Sequence, residues 1–167
     1  MSDTTKPDDN DGLMEDVGVP TGATEDTDNP GWYSWGDFPR SSFAAATGRL
    51  LFKPDGPSRG IARMFPTEAH MNMGGSIHGG AVMSFIDMAL FAGGRCAGME
   101  QGHYVTLDMT THFLARGKAG VPLDAYVELV RQTRGHVFLQ GVVRQDGNAC
   151  YSFTGTLARV REPNRPA

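Results

Sequence analysis

The chain has 167 residues and a formal charge of −4, enough sequence for one domain with a sizeable core. Residues 1–30 carry nine acidic side chains and one basic one, a net of −8, so residues 31–167 carry +4. So weak a positive charge gives no argument for nucleic acid and is compatible with an anionic small ligand. The main apolar run, residues 81–92, is too short to span a bilayer.

Residues 1–30 have almost no apolar residues in series and read as a disordered acidic tail. They lack the basic start and apolar run of a secretory signal and are too acidic for a transit peptide. A cytoplasmic protein is therefore expected. Cys96 and Cys150 form no C-x-x-C pair and fit a reduced compartment as buried thiols. One domain is expected over residues 31–162, followed by a loose tail at 163–167.

Trp32, Tyr33 and Trp35 suggest a segment docked on that domain. Residues 43–53 read as a strand, Pro54-Asp55-Gly56-Pro57 as a turn, and 59–65 as the returning hairpin partner, stopped by Pro66. A glycine-rich loop follows from His70. It leads into a helix over 81–92, which Gly93 and Gly94 would end. A helix apolar on all sides must be buried on all sides. Four strands follow at 104–114, 121–132, 136–145 and 149–161. Short turns make such strands antiparallel neighbours, and Asp146-Gly147 is a hairpin signal. Along the first of them, alternation sets Val105, Leu107, Met109 and Phe113 on one face, and Thr106, Asp108, Thr110 and His112 on the other. The order β-β-α-β-β-β-β predicts an α+β fold, with a curved antiparallel sheet wrapped around one central helix.

Ser84 and Asp87 interrupt the apolar helix three residues apart, on one stripe. A carboxylate buried in mid-helix is costly unless it is paired or has a task. Burial also makes a carboxylate a better base near neutral pH, so Asp87 is the leading candidate for chemistry. His78-Gly79-Gly80 stands where loop becomes helix. Free N–H groups and the positive dipole end meet there, and Gly79 admits close approach to the backbone. Those are features of an oxyanion-stabilising site, although on this motif alone a tight entry turn is the preferred account of two glycines. Asn72 could hold a water or a carbonyl, or close a loop turn. His70 reads as a structural imidazole. His78 and Asp87 are nine residues apart, about 13 Å and half a turn along one helix. They can serve one small reacting group only if the site is shared between two chains, as a two-fold dimer allows.

Other chemistries lack their motifs. H-E-x-x-H, the P-loop and G-x-G-x-x-G are missing, and Gly74-Gly75-Ser76-Ile77-His78 ends in His, which leaves a hydrolase elbow on Ser76 unsupported. Asp108 and His112 are about 13 Å apart along a strand and make no metal pair by themselves. His103 and His136 read as surface residues.

The run Asn72-x-x-Gly75-x-x-His78-Gly79-Gly80, with Asp87 nine residues after the His, resembles hotdog-fold acyl-CoA thioesterases of the phenylacetate-degradation type. These PaaI-like proteins are related to the 4-hydroxybenzoyl-CoA thioesterases. Residues 105–115, V-T-L-D-M-T-T-H-F-L-A, are similar to the strand after that family's central helix. The resemblance covers about residues 43–161. It implies hydrolysis of an acyl- or aryl-acyl-CoA thioester to free acid and CoA, without metal or cofactor. It further implies a homodimer, often paired into a homotetramer, with active sites at the dimer interface and neither nucleic acid nor membrane as partner. Asp87 would act as base or nucleophile, and the Gly79 N–H would polarise the thioester carbonyl. Asn72 would orient water or substrate, His78 would support the oxyanion region with Gly80 beside the substrate, and Thr106 would assist from the following strand. Arg116, Lys118, Arg131 and Arg134 are candidates for the nucleotide end of CoA. The acidic extension departs from the family. Two rivals are a non-catalytic acyl-CoA-binding module and a hydroxyacyl-thioester dehydratase. The second needs an acid/base His on or near the helix, and residues 81–92 contain none.

Overall fold

The computed structural model describes residues 18–160. The loose ends expected at 1–17 and 163–167 lie outside the described residues. One long helix, α1 (Gly79–Cys96), packs against an eight-stranded antiparallel sheet. The strands are β1 (Thr24–Glu25), β2 (Tyr33–Ser34), β3 (Leu50–Pro54), β4 (Arg59–Met64), β5 (His103–Phe113), β6 (Leu123–Gln132), β7 (His136–Gln145) and β8 (Asn148–Val160). Their order across the sheet is β1-β2-β3-β4-β6-β7-β8-β5. No helix among the described residues is long and apolar enough to cross a membrane.

The core forms where the helix meets the sheet. Phe85, Ile86 and Leu90 of α1 are fully buried, together with Phe52, Met64, Leu123, Val137 and Leu157 from the strands. Burying one such side chain stabilises the fold by about 1.5–3 kcal/mol. The expected helix end at Gly93-Gly94 is wrong, because α1 continues to Cys96. Those glycines instead let strands press on the helix. A Cβ on Gly93 would stand 2.5 Å from Val127 Cγ2, and one on Gly60 of β4 would stand 2.3 Å from the Gly93 carbonyl oxygen.

The helix is not buried all round. Ala81, Met83, Ser84, Asp87, Met88 and Phe91 are only half-buried and form one open stripe. The cause is the placement of β5, which packs sparsely on α1. The expectation that the last four strands are successive neighbours fails for β5 and β6. The outer edge of β6 is taken by β4, and β5 pairs with β8 at the far edge of the sheet. The alternation expected along β5 also breaks. A bulge between Thr106 and Asp108 inserts Leu107 as an extra residue and reverses the faces beyond it. Tyr104, Thr106, Met109 and Thr111 turn inward, while Val105, Leu107 and Phe113 are exposed. At the β7–β8 turn, Asp146 and Gly147 both have positive φ, 50° and 78°, as a tight hairpin requires.

Two further expectations are corrected. Residues 43–53 are not one strand. Phe43–Thr47 forms a 3-10 helix and Gly48, at φ 73°, separates it from β3. Three consecutive alanines favour a helical turn over a pleated strand. The acidic stretch expected to be loose through residue 30 is folded from Gly18 onward in the described residues. β1 pairs with β2, and β2 with β3. Asp26, 9 % exposed, is held by an ion pair with Arg49 and by Asn29 Nδ2 at 2.8 Å. Side-chain neutralisation made a packed segment out of charges that look repulsive in sequence. Trp32 is buried with Lys53 and Arg63 over its ring, and Trp35 lies on Phe52 at 4.3 Å between ring centroids.

Candidate active site

The loop before α1 is built around one amide. Asn72 Oδ1 accepts from the N–H groups of Gly74 (2.8 Å) and Ser76 (3.2 Å), and Asn72 Nδ2 donates to Ser76 Oγ at 3.0 Å. Asn72 thus closes the turn with its own side chain, and Gly75 supplies the positive φ of 73° that the turn needs. Backbone bonds from Ile77 N–H to Gly117 O (3.1 Å) and from His78 N–H to His70 O (2.8 Å) then fix the entry to the helix.

His78 is the N-cap of α1. Its Nδ1 accepts from Gly80 N–H at 2.9 Å, so the ring proton sits on the exposed Nε2. Gly80 is fully engaged, since its carbonyl accepts Ser84 Oγ–H at 2.8 Å. Gly79 is not: among the described residues its N–H has no acceptor. Among the described residues the N–H of Ala81 has none either, so two unsatisfied donors remain at the positive end of an 18-residue helix, with Gly79 the first of them.

Asp87 sits two turns further along the open stripe, half-buried rather than enclosed. Thr106 Oγ1 donates to Asp87 Oδ1 at 2.6 Å, a short bond of the charge-assisted kind. Among the described residues Oδ2 has no donor. The carboxylate opens into a cavity of about 360 Å³ lined by Phe43, Ala44, Met83, Ser84, Asp87, Met88 and Met109. The sequence expectations missed the apolar part of this lining. Reading 43–53 as a strand hid Phe43 and Ala44, and the β5 bulge determines which of its residues face the helix. The helical spacing of Met83, Asp87 and Met88 was the signal available.

Gly79 and Asp87 are eight residues apart, about 12 Å along the axis, and do not converge within one chain. The basic candidates are dispersed. Arg116 lines a hollow of about 280 Å³ with Ser76, Ile77 and Phe113, beside the helix start. Lys118 is nearby, its backbone held on both sides by Gln145. Arg131 and Arg134 stand at the other end of β6, about 30 Å away. His70 is buried and structural. Its Nδ1 accepts Thr67 N–H (2.8 Å), and its Nε2 lies 2.9 Å from Ala46 O. His103, Asp108, His112 and His136 are exposed, and no group of three or more His, Cys, Asp or Glu among the described residues could hold a metal ion.

Residues 74–151 match the Thioesterase superfamily. The architecture is shared with solved structures. The TT0310 protein of Thermus thermophilus is 25% identical with a TM-score of 0.61, over 72% of this chain and 99% of that one. The E. coli PaaI protein from the phenylacetic acid degradation operon is 23% identical with a TM-score of 0.62, over 73% and 86%. A hypothetical thioesterase with coenzyme A from Streptococcus pneumoniae is 19% identical with a TM-score of 0.61, over 70% and 89%. No curated protein matches the chain. Helix and wrapped sheet make the hotdog fold that these structures share, and the segment that matches the Thioesterase superfamily runs from the loop before α1 into β8.

Proposed function

We propose that this protein hydrolyses an acyl-CoA thioester to free acid and CoA at sites shared between two copies of the chain. The observation that carries the reading is Asp87, tied to Thr106 at one oxygen and free at the other, in a cavity otherwise lined by apolar side chains and Ser84. A carboxylate so oriented can take a proton from water or attack the carbonyl carbon itself. Either route forms a tetrahedral centre whose oxygen carries negative charge. The free N–H of Gly79, at a helix start, is suited to bind that oxygen. Collapse of the centre breaks the C–S bond and the CoA thiolate leaves; after attack by water the product is the free acid, and after attack by Asp87 the acyl group stays on the carboxylate as an anhydride that a water then hydrolyses.

The two groups are about 12 Å apart on one helix, so the Gly79 that serves a given Asp87 belongs to another copy. A surface for that copy is available. β5 is an edge strand, and Val105, Leu107, Phe113 and Leu114 are each about half exposed or more beside the open helix stripe. An exposed apolar edge strand is a liability unless something covers it. Arg116, at the helix start, is the basic side chain best sited for the nucleotide end of CoA, in keeping with the coenzyme A of the pneumococcal neighbour.

The test is thiol release from a panel of acyl-CoAs by wild type and Asp87→Asn, with particle mass measured alongside. The reading expects hydrolysis by a dimer or larger assembly and at least a hundredfold loss in the variant. Equal rates in the two proteins would remove Asp87 from the chemistry.

A further inference from the structure

The cavity at Asp87 has one wall that comes from outside the helix and the main strands. Phe43 and Ala44, at the start of the Phe43–Thr47 3-10 helix, close it together with Met83 and Met88 of α1 and Met109 of β5. Asp87 is the one charged residue in that lining. The wall is anchored. Thr47 Oγ1 lies 2.7 Å from Ala44 O and 3.0 Å from Met88 Sδ. Behind it stands His70, whose Nδ1 is taken by Thr67 N–H, so Nε2 carries the proton and donates to Ala46 O. Phe43 itself is 76% exposed, a large ring standing at the mouth of the cavity with little to cover it.

We propose that the Phe43–Thr47 segment is the acyl-selecting wall of the site, that the cavity takes an uncharged apolar acyl group, and that His70 is the positioning residue that holds the wall. This rests on the thioester-hydrolysis reading above. A thioester carbonyl within reach of Asp87 carries its acyl substituent directly beside that carboxylate. The sulfur side leads away to the nucleotide. The space next to Asp87 is therefore the acyl space, and its lining is three methionines, a phenylalanine and an alanine, with Ser84 bonded back to its own helix. Thioether side chains adapt to the shape of what they enclose, which favours apolar chains over one fixed outline. An acyl group ending in a carboxylate would bring a second negative charge into an apolar cavity beside Asp87.

The experiment measures kcat/KM of the full chain for acetyl-, butanoyl-, hexanoyl- and succinyl-CoA, in wild type, Phe43→Ala, Ala44→Phe and His70→Gln. The inference expects kcat/KM to rise by about fourfold per buried methylene in wild type, with succinyl-CoA at least about a hundredfold below hexanoyl-CoA. Phe43→Ala alters a residue too exposed to decide folding, and it lowers the hexanoyl-to-acetyl ratio. Ala44→Phe and His70→Gln lower the same ratio by about tenfold. A ratio is read because general damage to the fold lowers both rates together. Affinities of acetyl- and hexanoyl-CoA for Asp87→Asn, which need no turnover, separate the two claims. A chain-length slope in affinity without hydrolysis by wild type defeats the hydrolase reading and supports the pocket. The pocket is overturned by flat chain-length dependence, by preference for succinyl-CoA, or by wall variants that change every substrate by one factor.

Discussion

His78 takes the N–H of Gly80 at 2.9 Å and leaves the N–H of Gly79, one residue earlier, without a partner among the described residues. A cap of this kind is worth about 1 kcal/mol to a helix, and here it also decides which backbone donor stays available. His78→Ala is expected to lower stability by about 1 kcal/mol and to lower kcat, because Gly80 N–H is released and the first turn frays. His78→Asn restores a capping acceptor and is expected to recover the stability. Thermal unfolding and thiol release on the three proteins check both statements.

The bond between Thr106 and Asp87 orients one carboxylate oxygen and leaves the other for chemistry. A hydrogen bond to a charged group contributes about 1.5–3 kcal/mol. Thr106→Val is expected to lower kcat by about tenfold to a hundredfold with little change in KM, and Thr106→Ser to keep most of the rate. Steady-state kinetics on the two variants separates orientation from loss of the β-branched side chain.

Gly60 is the closest approach of β4 to the helix. A Cβ there would stand 2.3 Å from the Gly93 carbonyl oxygen and 2.6 Å from Cys96 Cβ. Backbone on one side and a helix side-chain stem on the other leave little room to give. Gly60→Ala is expected to destabilise by about 1–3 kcal/mol, seen as a Tm several degrees lower. Gly135→Ala, with nothing within 4 Å of the added atom, is the control and should leave Tm nearly unchanged.

Burial pushes the Cys96 thiol up to about 12 and raises Cys150 in the same direction. Both thiols are free and buried, and both should resist thiol reagents at pH 8 until the protein is unfolded. The folded-state value lies above that of an unfolded thiol, so the folded chain binds the extra proton in alkali. Stability is therefore complete below about pH 9 and falls as pH rises toward 12. Denaturant titrations at pH 8 and pH 10.5 should show the loss, and Cys96→Ser should reduce that pH dependence.

Much of the fold was legible because periodicity is local. The strands β6 to β8 and the central helix follow from alternation and from a continuous apolar run. What escaped the sequence depends on distant partners. Gly93 and Gly94 look like a helix stop, and only Gly60 and Val127 explain why the helix runs through them. The bulge at Leu107 depends on the pairing of β5 with β8 and leaves no local mark. The segment from Gly18 is held by Asp26 with Arg49, 23 residues away, and composition alone made it look unfoldable. For the site, Asp87 stood out as the charge in an apolar helix, and His78-Gly79-Gly80 marked the place where loop becomes helix, but the capping role of the His78 ring was not legible there. Asn72 could have faced either a ligand or its own loop, and its amide turns out to close the loop. The four basic candidates stood out for lying near strand ends, which carries no information on which end, and β6 separates them into two pairs.

The central claim is that Asp87 of one copy works with the Gly79 N–H of another, and mixing two inactive variants tests it most directly. Asp87→Asn removes the carboxylate. Gly79→Pro removes the donor at the first helical position, where proline is tolerated, and His78 at φ −63° and ψ 136° already has the backbone that precedes a proline. Each variant alone is expected to lose at least about a hundredfold in rate. After subunit exchange at equal amounts, half the dimers are mixed and each holds one intact site, so the mixture should regain about a quarter of the wild-type rate. Mixed dimers that form and stay inactive would contradict the shared site.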